Sequence, residues 1–282
     1  MSATPVLDAR PARLSALRDV LARADLDALL VTSLPNIRYL TGFSGSNALL
    51  VITARECVLH TDFRYATQVE EEVGASTRVR IESSNLWTGL WAQLAILAGI
   101  ERIGFESMHL PHRDFARLLD QGARWSWRPT LEVVEPLRAV KDAGEVAHIQ
   151  RAIAMAETAL RRTVPMLRAG ITETAVAGIL ERHLRDAGSE AFPFPSIVAS
   201  GPRSALPHAH AGDRVLATGD FVLLDFGAVA GGYCSDITRT FILGRATDEQ
   251  REVYEIVREA NARASGALRV GMTGMAADAV AR

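Results

Sequence analysis

Short apolar runs alternate with amphipathic stretches through the first 130 residues of the chain. The apolar runs are typical of buried strands, and apolar residues at intervals of three and four are typical of helices. We predict strands at 25–33, within 36–52, and at 57–61, 78–83 and 102–106, and helices at 14–24, 63–73, 86–98 and 112–121. The stretch 36–52 is expected to begin with a glycine-punctuated turn. This alternation indicates an α/β domain whose sheet is at least partly parallel.

The pattern changes around residues 134–141, where Pro136 interrupts the chain and a long amphipathic helix is predicted from 143 to about 167. We therefore place a domain boundary near residue 135, which divides the chain into a first domain at 1–134 and a second at 135–282. The second domain is predicted to contain helices at 173–187, 248–265 and from about 274, a loop and strand at 192–201, and a hairpin at 221–241. Thr172 is the expected N-cap of the first of these helices, and Thr247 with Gln250 matches a capping box before the second.

The hairpin at 221–241 contains two aspartates, Asp225 in an apolar run and Asp236 among residues that favour strands. A turn centred on Ala230 and Gly231 would place the two aspartates opposite each other on one face of the ladder. Two carboxylates that close repel each other, and a divalent cation would remove the penalty. We therefore interpret the hairpin as half of a metal site, although the spacing alone fits ordinary surface carboxylates equally well.

Another register of the same hairpin leads to a different expectation. If the turn lies at Gly231 and Gly232, Asp225 faces Thr238 and the direct pairing of carboxylates is lost. One of the aspartates could then be an ordinary exposed turn residue. The apolar surroundings of Asp225 favour the functional interpretation, since a carboxylate in a buried strand is costly without a partner.

A loop rich in Gly, Pro and Ser precedes the hairpin and carries His208 and His210. Loops between strands are common positions for functional side chains, so His208 is a candidate site residue. His210 would point away from His208 in an extended backbone and is the weaker candidate. The other five histidines lie in or beside regular elements, where a solvated or packed role is the default: His60, His109, His112, His148 and His183.

Composition narrows the class of protein. The chain has 282 residues, 48% of them hydrophobic, and a formal net charge of −2, which argues against nucleic acid or an anionic membrane as partner. Its two cysteines, Cys57 and Cys234, are far apart and suggest neither a disulfide framework nor a thiolate zinc site. No signal peptide or membrane-spanning run is visible, so a cytoplasmic location is expected.

Several motifs together resemble those of the Xaa-Pro peptidases, metallopeptidases that share the pita-bread fold with methionine aminopeptidase and creatinase. The motifs are VASGPRSALPHA and GDFVLLDFGAVAGGYCSDITRTF in the second domain, NIRYLTGFSGSNALL and LHTDFRY in the first, and VEPLRAVKDAGEVAHIQRA between them. The resemblance covers nearly the whole chain. It implies an α/β (α+β) fold in which a creatinase-type N-terminal α/β domain is followed by an incomplete pita-bread catalytic domain.

The resemblance also implies roles for individual residues. Asp225 matches a ligand of one metal ion, and Asp236 matches the carboxylate that bridges two ions. His208 matches the catalytic histidine that lines the substrate pocket near the scissile peptide. Phe194 lies where relatives place an aromatic residue that binds substrate. The expected cofactors are two divalent ions, preferably Mn²⁺ with Zn²⁺ or Co²⁺ as alternatives, and the expected partners are a proline-containing peptide and a second copy of the chain.

The resemblance leads to a metal-dependent Xaa-Pro aminopeptidase as the expected function. Open alternatives are an Xaa-Pro dipeptidase, a non-catalytic pita-bread binding protein or inactive fragment, and, ranked low, a creatinase-like amidinohydrolase. Relatives supply a His and two Glu as further ligands, and no matching motif follows Asp236. The chain is therefore expected to be a truncated form that is inactive alone. The remaining glutamates lie on a predicted surface helix and are poor ligand candidates: Glu249, Glu252, Glu255 and Glu259.

Overall fold

A computed structural model describes residues 8–282, which form two compact units. The first unit ends at Gly144, and the second runs from Glu145 to Arg282. Within residues 8–282, no helix combines the length and the apolar character that crossing a membrane requires.

The first unit is built around a six-stranded mixed sheet. Its strands are β1 (Ala28–Val31), β2 (Ala48–Thr53), β3 (Cys57–Asp62), β4 (Arg78–Glu82), β5 (Arg102–Glu106) and β6 (Ser126–Thr130). Its helices are α1 (Arg10–Arg23), α2 (Leu34–Thr41), α3 (Ala66–Glu72), α4 (Leu86–Ile96), α5 (His112–Gln121) and α6 (Glu135–Ala139). The strand order is β4-β3-β2-β1-β5-β6. Only β2 runs antiparallel to its neighbours, so the predicted partly parallel α/β sheet is confirmed.

Apolar side chains cover both faces of this sheet. On one face Leu17 of α1 and Leu40 of α2 belong to the same buried cluster as Leu29 of β1. On the other face Leu90 of α4 packs in a second cluster with Leu30 of β1. Every residue of β1 and β2 is buried, as expected for central strands covered by helices on both sides.

Two elements of the first unit differ from the sequence-based expectation. Residues Leu34–Thr41 form a helix where a turn was expected, because Pro35 suits the first turn of a helix and Gly42 ends it with a left-handed φ of 90°. Strand β6 was not anticipated. It lies at the sheet edge and contains Pro129, a residue that weakens the sequence signal of a strand but is tolerated at an edge.

The second unit combines helices with a small antiparallel sheet. Its elements are α7 (Ala143–Thr163), α8 (Glu173–Asp186), β7 (Ile197–Ser200), β8 (Phe221–Phe226), β9 (Val229–Ala230), β10 (Tyr233–Cys234), β11 (Ile237–Ile242), α9 (Asp248–Ala267) and α10 (Gly274–Ala281). The sheet order is β11-β8-β7, and β9 pairs with β10 in a two-stranded extension. The predicted N-cap at Thr172 and the capping box of Thr247 with Gln250 are confirmed.

The three-stranded sheet buries one face and leaves the other partly open. Leu224 and Phe226 of β8 are fully buried in a core with Leu180 and Leu184 of α8. Residues on the opposite face of β8, among them Asp225, are half-buried. The sheet therefore presents a semi-exposed face on which polar side chains can meet a ligand.

Candidate functional site

The register of the hairpin is set by its turn. Residues Gly231 and Gly232 separate β9 from β10 and have φ values of 60° and 79°, in the left-handed region. A two-residue hairpin turn of this kind needs positive φ at both positions, which glycine adopts without strain. The pairing places Thr238 opposite Asp225. The prediction that Asp225 directly opposes Asp236 was therefore wrong, and the alternative register is the one observed.

Asp225 and Asp236 are nevertheless close neighbours. Thr238 is opposite Asp225, and Asp236 lies two residues before Thr238, so the two aspartates are diagonal neighbours on one face. The pKa of Asp236 is raised above its ordinary value by desolvation, then by the negative charge of Asp225 and a hydrogen bond between the two side chains. The two carboxylates thus interact directly without standing opposite each other.

The backbone around Asp236 is held in place by Ser235. The Ser235 hydroxyl accepts a hydrogen bond from the Ala228 amide at 3.0 Å and donates one to the Ala152 carbonyl of α7 at 3.2 Å. A Cβ atom at Gly227 would lie 2.0 Å from the Ser235 carbonyl oxygen, so only glycine fits there. The same register places Gly227 beside Asp236, which leaves no side chain directly across from that carboxylate.

The side chains at this site supply part of the ligand set that a hard divalent cation needs. Two neighbouring carboxylates are oxygen ligands of the kind that Mn²⁺ and similar ions prefer. The mutual repulsion seen in the raised pKa of Asp236 would be relieved by such an ion. Within residues 8–282, no group of three or more His, Cys, Asp or Glu side chains is arranged to hold a metal. Asp225 and Asp236 therefore fit as part of a metal site.

The two other predicted site residues lie on the segments that flank β7. Phe194 is half-buried and precedes β7, whose first residue, Ile197, is the ladder partner of Asp225. His208 is exposed, on the loop that follows the other end of β7. The hydrogen bonds described for residues 8–282 do not join His208 to Asp225 or Asp236. The structure thus brings the two aspartates together and leaves His208 without a described contact to them.

Sequence reasoning missed two ion pairs in and beside the loop at 201–212 that carries His208. Glu173, at the start of α8, is fully buried and forms an ion pair with Arg203 at 3.1 Å. Arg214 forms a second ion pair with Asp220 at 2.6 Å. The available signal was a carboxylate immediately after a helix N-cap, which is usually interpreted as stabilising the helix dipole and not as supporting a loop.

The chain thus combines an α/β unit with a second unit whose antiparallel sheet carries two adjacent carboxylates. Residues 13–140 match the creatinase/prolidase N-terminal domain, and residues 147–282 match metallopeptidase family M24. The chain belongs to metallopeptidase family M24. Members of this family are hydrolases that use divalent metals. The resemblance to Xaa-Pro peptidases and the mixed α/β fold with a creatinase-type N-terminal domain and a pita-bread domain are confirmed.

Individual relatives support the same assignment. The chain is 38% identical over 270 residues to the uncharacterized peptidase YqhT of Bacillus subtilis, covering 96% of this chain and 76% of YqhT. It superimposes on the Xaa-Pro dipeptidase from Bacillus anthracis with a TM-score of 0.91 and 34% identity, covering 96% of this chain and 76% of the other. For the X-Pro aminopeptidase from Thermotoga maritima MSB8 the TM-score is 0.84 and the sequence identity is 34%. The superposition covers 95% of this chain and 75% of the aminopeptidase.

Proposed function

We propose that this chain is a metal-dependent Xaa-Pro aminopeptidase that cleaves the peptide bond between an N-terminal residue and proline. The observation that carries the proposal is the contact between the carboxylates of Asp225 and Asp236 on a semi-exposed sheet face. Structural similarity to enzymes named for Xaa-Pro peptides supports the substrate class.

In this proposal Asp225 and Asp236 would be ligands of the divalent ions, preferably two Mn²⁺. When bound, such ions would lower the pKa of a water molecule, so that hydroxide forms near neutral pH and can attack a peptide carbonyl. Thr238 orients Asp225 through the hydrogen bond from its hydroxyl, at 2.9 Å. His208 contacts the peptide near the scissile bond, and Phe194 lines the pocket for its side chains.

A second candidate function is an Xaa-Pro dipeptidase. The TM-score of 0.91 with the Xaa-Pro dipeptidase from Bacillus anthracis supports it. The sequence identity is 34% for both that enzyme and the X-Pro aminopeptidase from Thermotoga maritima, so identity favours neither activity. The two activities differ in whether the pocket accepts a peptide that continues beyond proline.

The experiment that tests the proposal compares an Xaa-Pro dipeptide with an Xaa-Pro-Xaa tripeptide in the presence of Mn²⁺. We expect release of the N-terminal residue from the tripeptide and loss of this activity in Asp225→Asn and Asp236→Asn. Cleavage restricted to the dipeptide would establish the second candidate. Turnover of neither peptide, together with no Mn²⁺-dependent rise in Tm, would contradict both.

Three further features belong to the proposal. Since the ligands identified among residues 8–282 are two carboxylates, we expect this chain to bind Mn²⁺ weakly and to hydrolyse peptide slowly. A homodimer is proposed, and light scattering coupled to size exclusion would show whether it forms. The cytoplasmic location stays a prediction.

A further inference from the structure

The buried carboxylate of Glu173 is attached to both ends of the histidine loop, defined here as residues 201–212. At the start of the loop, Glu173 accepts hydrogen bonds from the amide and the hydroxyl of Ser200, both at 2.8 Å. At the end of the loop it accepts one from the Gly212 amide at 3.2 Å. One side chain therefore fixes the two points between which the loop carries His208.

Arg203 extends this attachment into the interior of the loop. Its Nε donates to Oε2 of Glu173 at 3.1 Å, and its Nη2 donates to the carbonyl oxygen of His210 at 2.6 Å. The guanidinium thus spans from the buried carboxylate to a backbone group two residues beyond His208. A rigid, planar guanidinium can make both contacts at once, whereas a lysine ammonium at the same position is a single point charge on a flexible stem.

Helix α8 reinforces the same anchor with a neighbouring residue. Thr174 donates from its amide and its hydroxyl to the Gly212 carbonyl, at 3.1 Å and 2.9 Å. The amide of Glu173 donates to the carbonyl of Arg214 at 3.0 Å. Through these hydrogen bonds the first turn of α8 holds the end of the histidine loop in place.

Because Glu173 is buried, its carboxylate depends on the hydrogen bonds that the histidine loop donates to it. Its side chain has no exposed surface, and burying a carboxylate is costly unless hydrogen bonds and an opposite charge compensate it. All of the compensating donors named above come from the loop or its two ends. Arg214 adds a favourable charge interaction from outside the loop, and the hydrogen bonds to the carboxylate depend on the loop conformation.

We propose that Glu173, acting through Arg203, is a positioning residue that holds the histidine loop in the conformation presenting His208 to the peptide. This inference rests on the proposed function, in which His208 contacts the substrate. Glu173 does not itself touch the substrate in this proposal. Its effect is on the placement of His208 and on the order of the loop.

The variants that test the inference change chemistry and keep size. Glu173→Gln replaces one acceptor oxygen with a donor NH₂ group, which opposes the N–H groups of Arg203 or Gly212. Arg203→Lys retains the positive charge and removes the bridge to the His210 carbonyl, and the partial exposure of Arg203 favours folding of this variant. Glu181→Gln is the matched control, since it makes the same carboxylate-to-amide change about two turns along α8.

Hydrogen exchange of the loop amides and hydrolysis of an Xaa-Pro tripeptide with Mn²⁺ are measured on the wild type and all three variants. We expect exchange within residues 201–212 to be about tenfold faster or more in Glu173→Gln and Arg203→Lys, and unchanged in Glu181→Gln. We also expect kcat to fall about tenfold in the first two with KM nearly constant, because contacts to the reacting peptide bond strengthen in the transition state.

The outcomes separate this inference from the proposed function. A lower Tm in Glu173→Gln with wild-type loop exchange and kcat would assign the residue a purely structural role and overturn the inference. Wild-type behaviour of Arg203→Lys would overturn the bridging role of the guanidinium. Absence of turnover in the wild type would overturn the proposed function, and loop exchange would then decide the positioning role by itself.

Discussion

Thr238 donates its hydroxyl hydrogen to Oδ1 of Asp225 at 2.9 Å across the ladder between β8 and β11. This hydrogen bond holds the Asp225 carboxylate on the face of the sheet that also carries Asp236. A ligand that is oriented before the ion arrives loses less side-chain freedom on binding. The register imposed by the glycine turn therefore gives Asp225 a supporting hydroxyl in place of a directly opposed carboxylate.

Removing this hydroxyl is expected to weaken metal binding. Thr238→Val keeps the shape of the side chain and deletes the donor to Asp225, so we expect the Kd for Mn²⁺ to rise roughly tenfold. Thr240→Val is the matched control, because Thr240 is the next residue on the same face of β11, opposite Leu223, and no hydrogen bond described for residues 8–282 joins it to either aspartate. Isothermal titration calorimetry at fixed pH measures both variants. Equal Kd values in the two would show that the hydroxyl does not support the site.

The raised pKa of Asp236 predicts a pH-dependent stability in the absence of metal. Because the folded state holds this proton more tightly than the unfolded chain, where the pKa is near 3.8, the contribution of Asp236 is fully present below that pH. It is lost as the pH rises through the folded pKa. We therefore expect Asp236→Asn to become progressively more stable than the wild type as the pH rises, when both are measured in EDTA.

Urea unfolding of the two proteins at a series of pH values measures this difference, and the effects of titrating groups distant from Asp236 cancel in the comparison. Adding Mn²⁺ should reverse the order, since the ion stabilises the wild type and lacks one ligand in the variant. A difference in unfolding free energy that does not change with pH would refute the coupling between the two carboxylates.

Replacing either of two glycines of the second unit by alanine should change the free energy of unfolding, and the two changes should have opposite signs. At Gly227 a Cβ would meet the Ser235 carbonyl at 2.0 Å, so Gly227→Ala should destabilise by about 2–4 kcal/mol and disturb Asp236. At Gly178, inside α8, a Cβ meets nothing within 4 Å, so Gly178→Ala should stabilise by about 0.5–1 kcal/mol. Chemical denaturation distinguishes the two. Equal effects would mean that the hairpin tolerates a side chain at 227.

The ion pair between Asp27 and Arg102 in the first unit is expected to make the stability of the fold sensitive to acid. A hydrogen bond from Arg102 lowers the pKa of Asp27 to about 2. Asp27 therefore stabilises the fold above its unfolded pKa of 3.8, and this contribution is lost as the pH falls toward 2. We expect Asp27→Asn to lower Tm by several degrees at neutral pH and by much less near pH 2.

Asp25→Asn is the control for this prediction. Asp25 also contacts Arg102, but its side chain is 78% exposed, compared with 21% for Asp27. Exposed ion pairs contribute little to stability, so this variant should melt close to the wild type at both pH values. Scanning calorimetry provides the comparison. A larger loss of Tm in Asp25→Asn would contradict the assignment of the stabilising partner.

The strands of both units were largely predictable from the sequence, and the details of their pairing were not. Short apolar runs located β1, β3, β5 and β8, and an alternating pattern located β4, because burial dictates both patterns. The hairpin register depended on which pair of residues took positive φ. Ala230-Gly231 and Gly231-Gly232 both look like turns in sequence, and only the second places glycine at both strained positions.

The two aspartates of the candidate site were found from sequence, whereas the groups that support them were not. Thr238 was visible only as a residue with strand propensity, and its contact with Asp225 follows from the register. The contact between Glu173 and Arg203 joins residues 30 positions apart, on a helix and a loop whose approach no local pattern encodes. Long-range polar contacts of this kind require the fold before they can be recognised.

The two-glycine turn makes the number of residues in the hairpin as important as their chemistry. Side chains alternate between the faces of a strand, so one inserted or deleted residue between Ala230 and Tyr233 would invert β11 or force a bulge. Inversion would bring Arg239 to the side now occupied by Thr238 and carry Asp236 into the apolar interior. Length changes in this short connection should thus disrupt the candidate site more than most single substitutions on the surface.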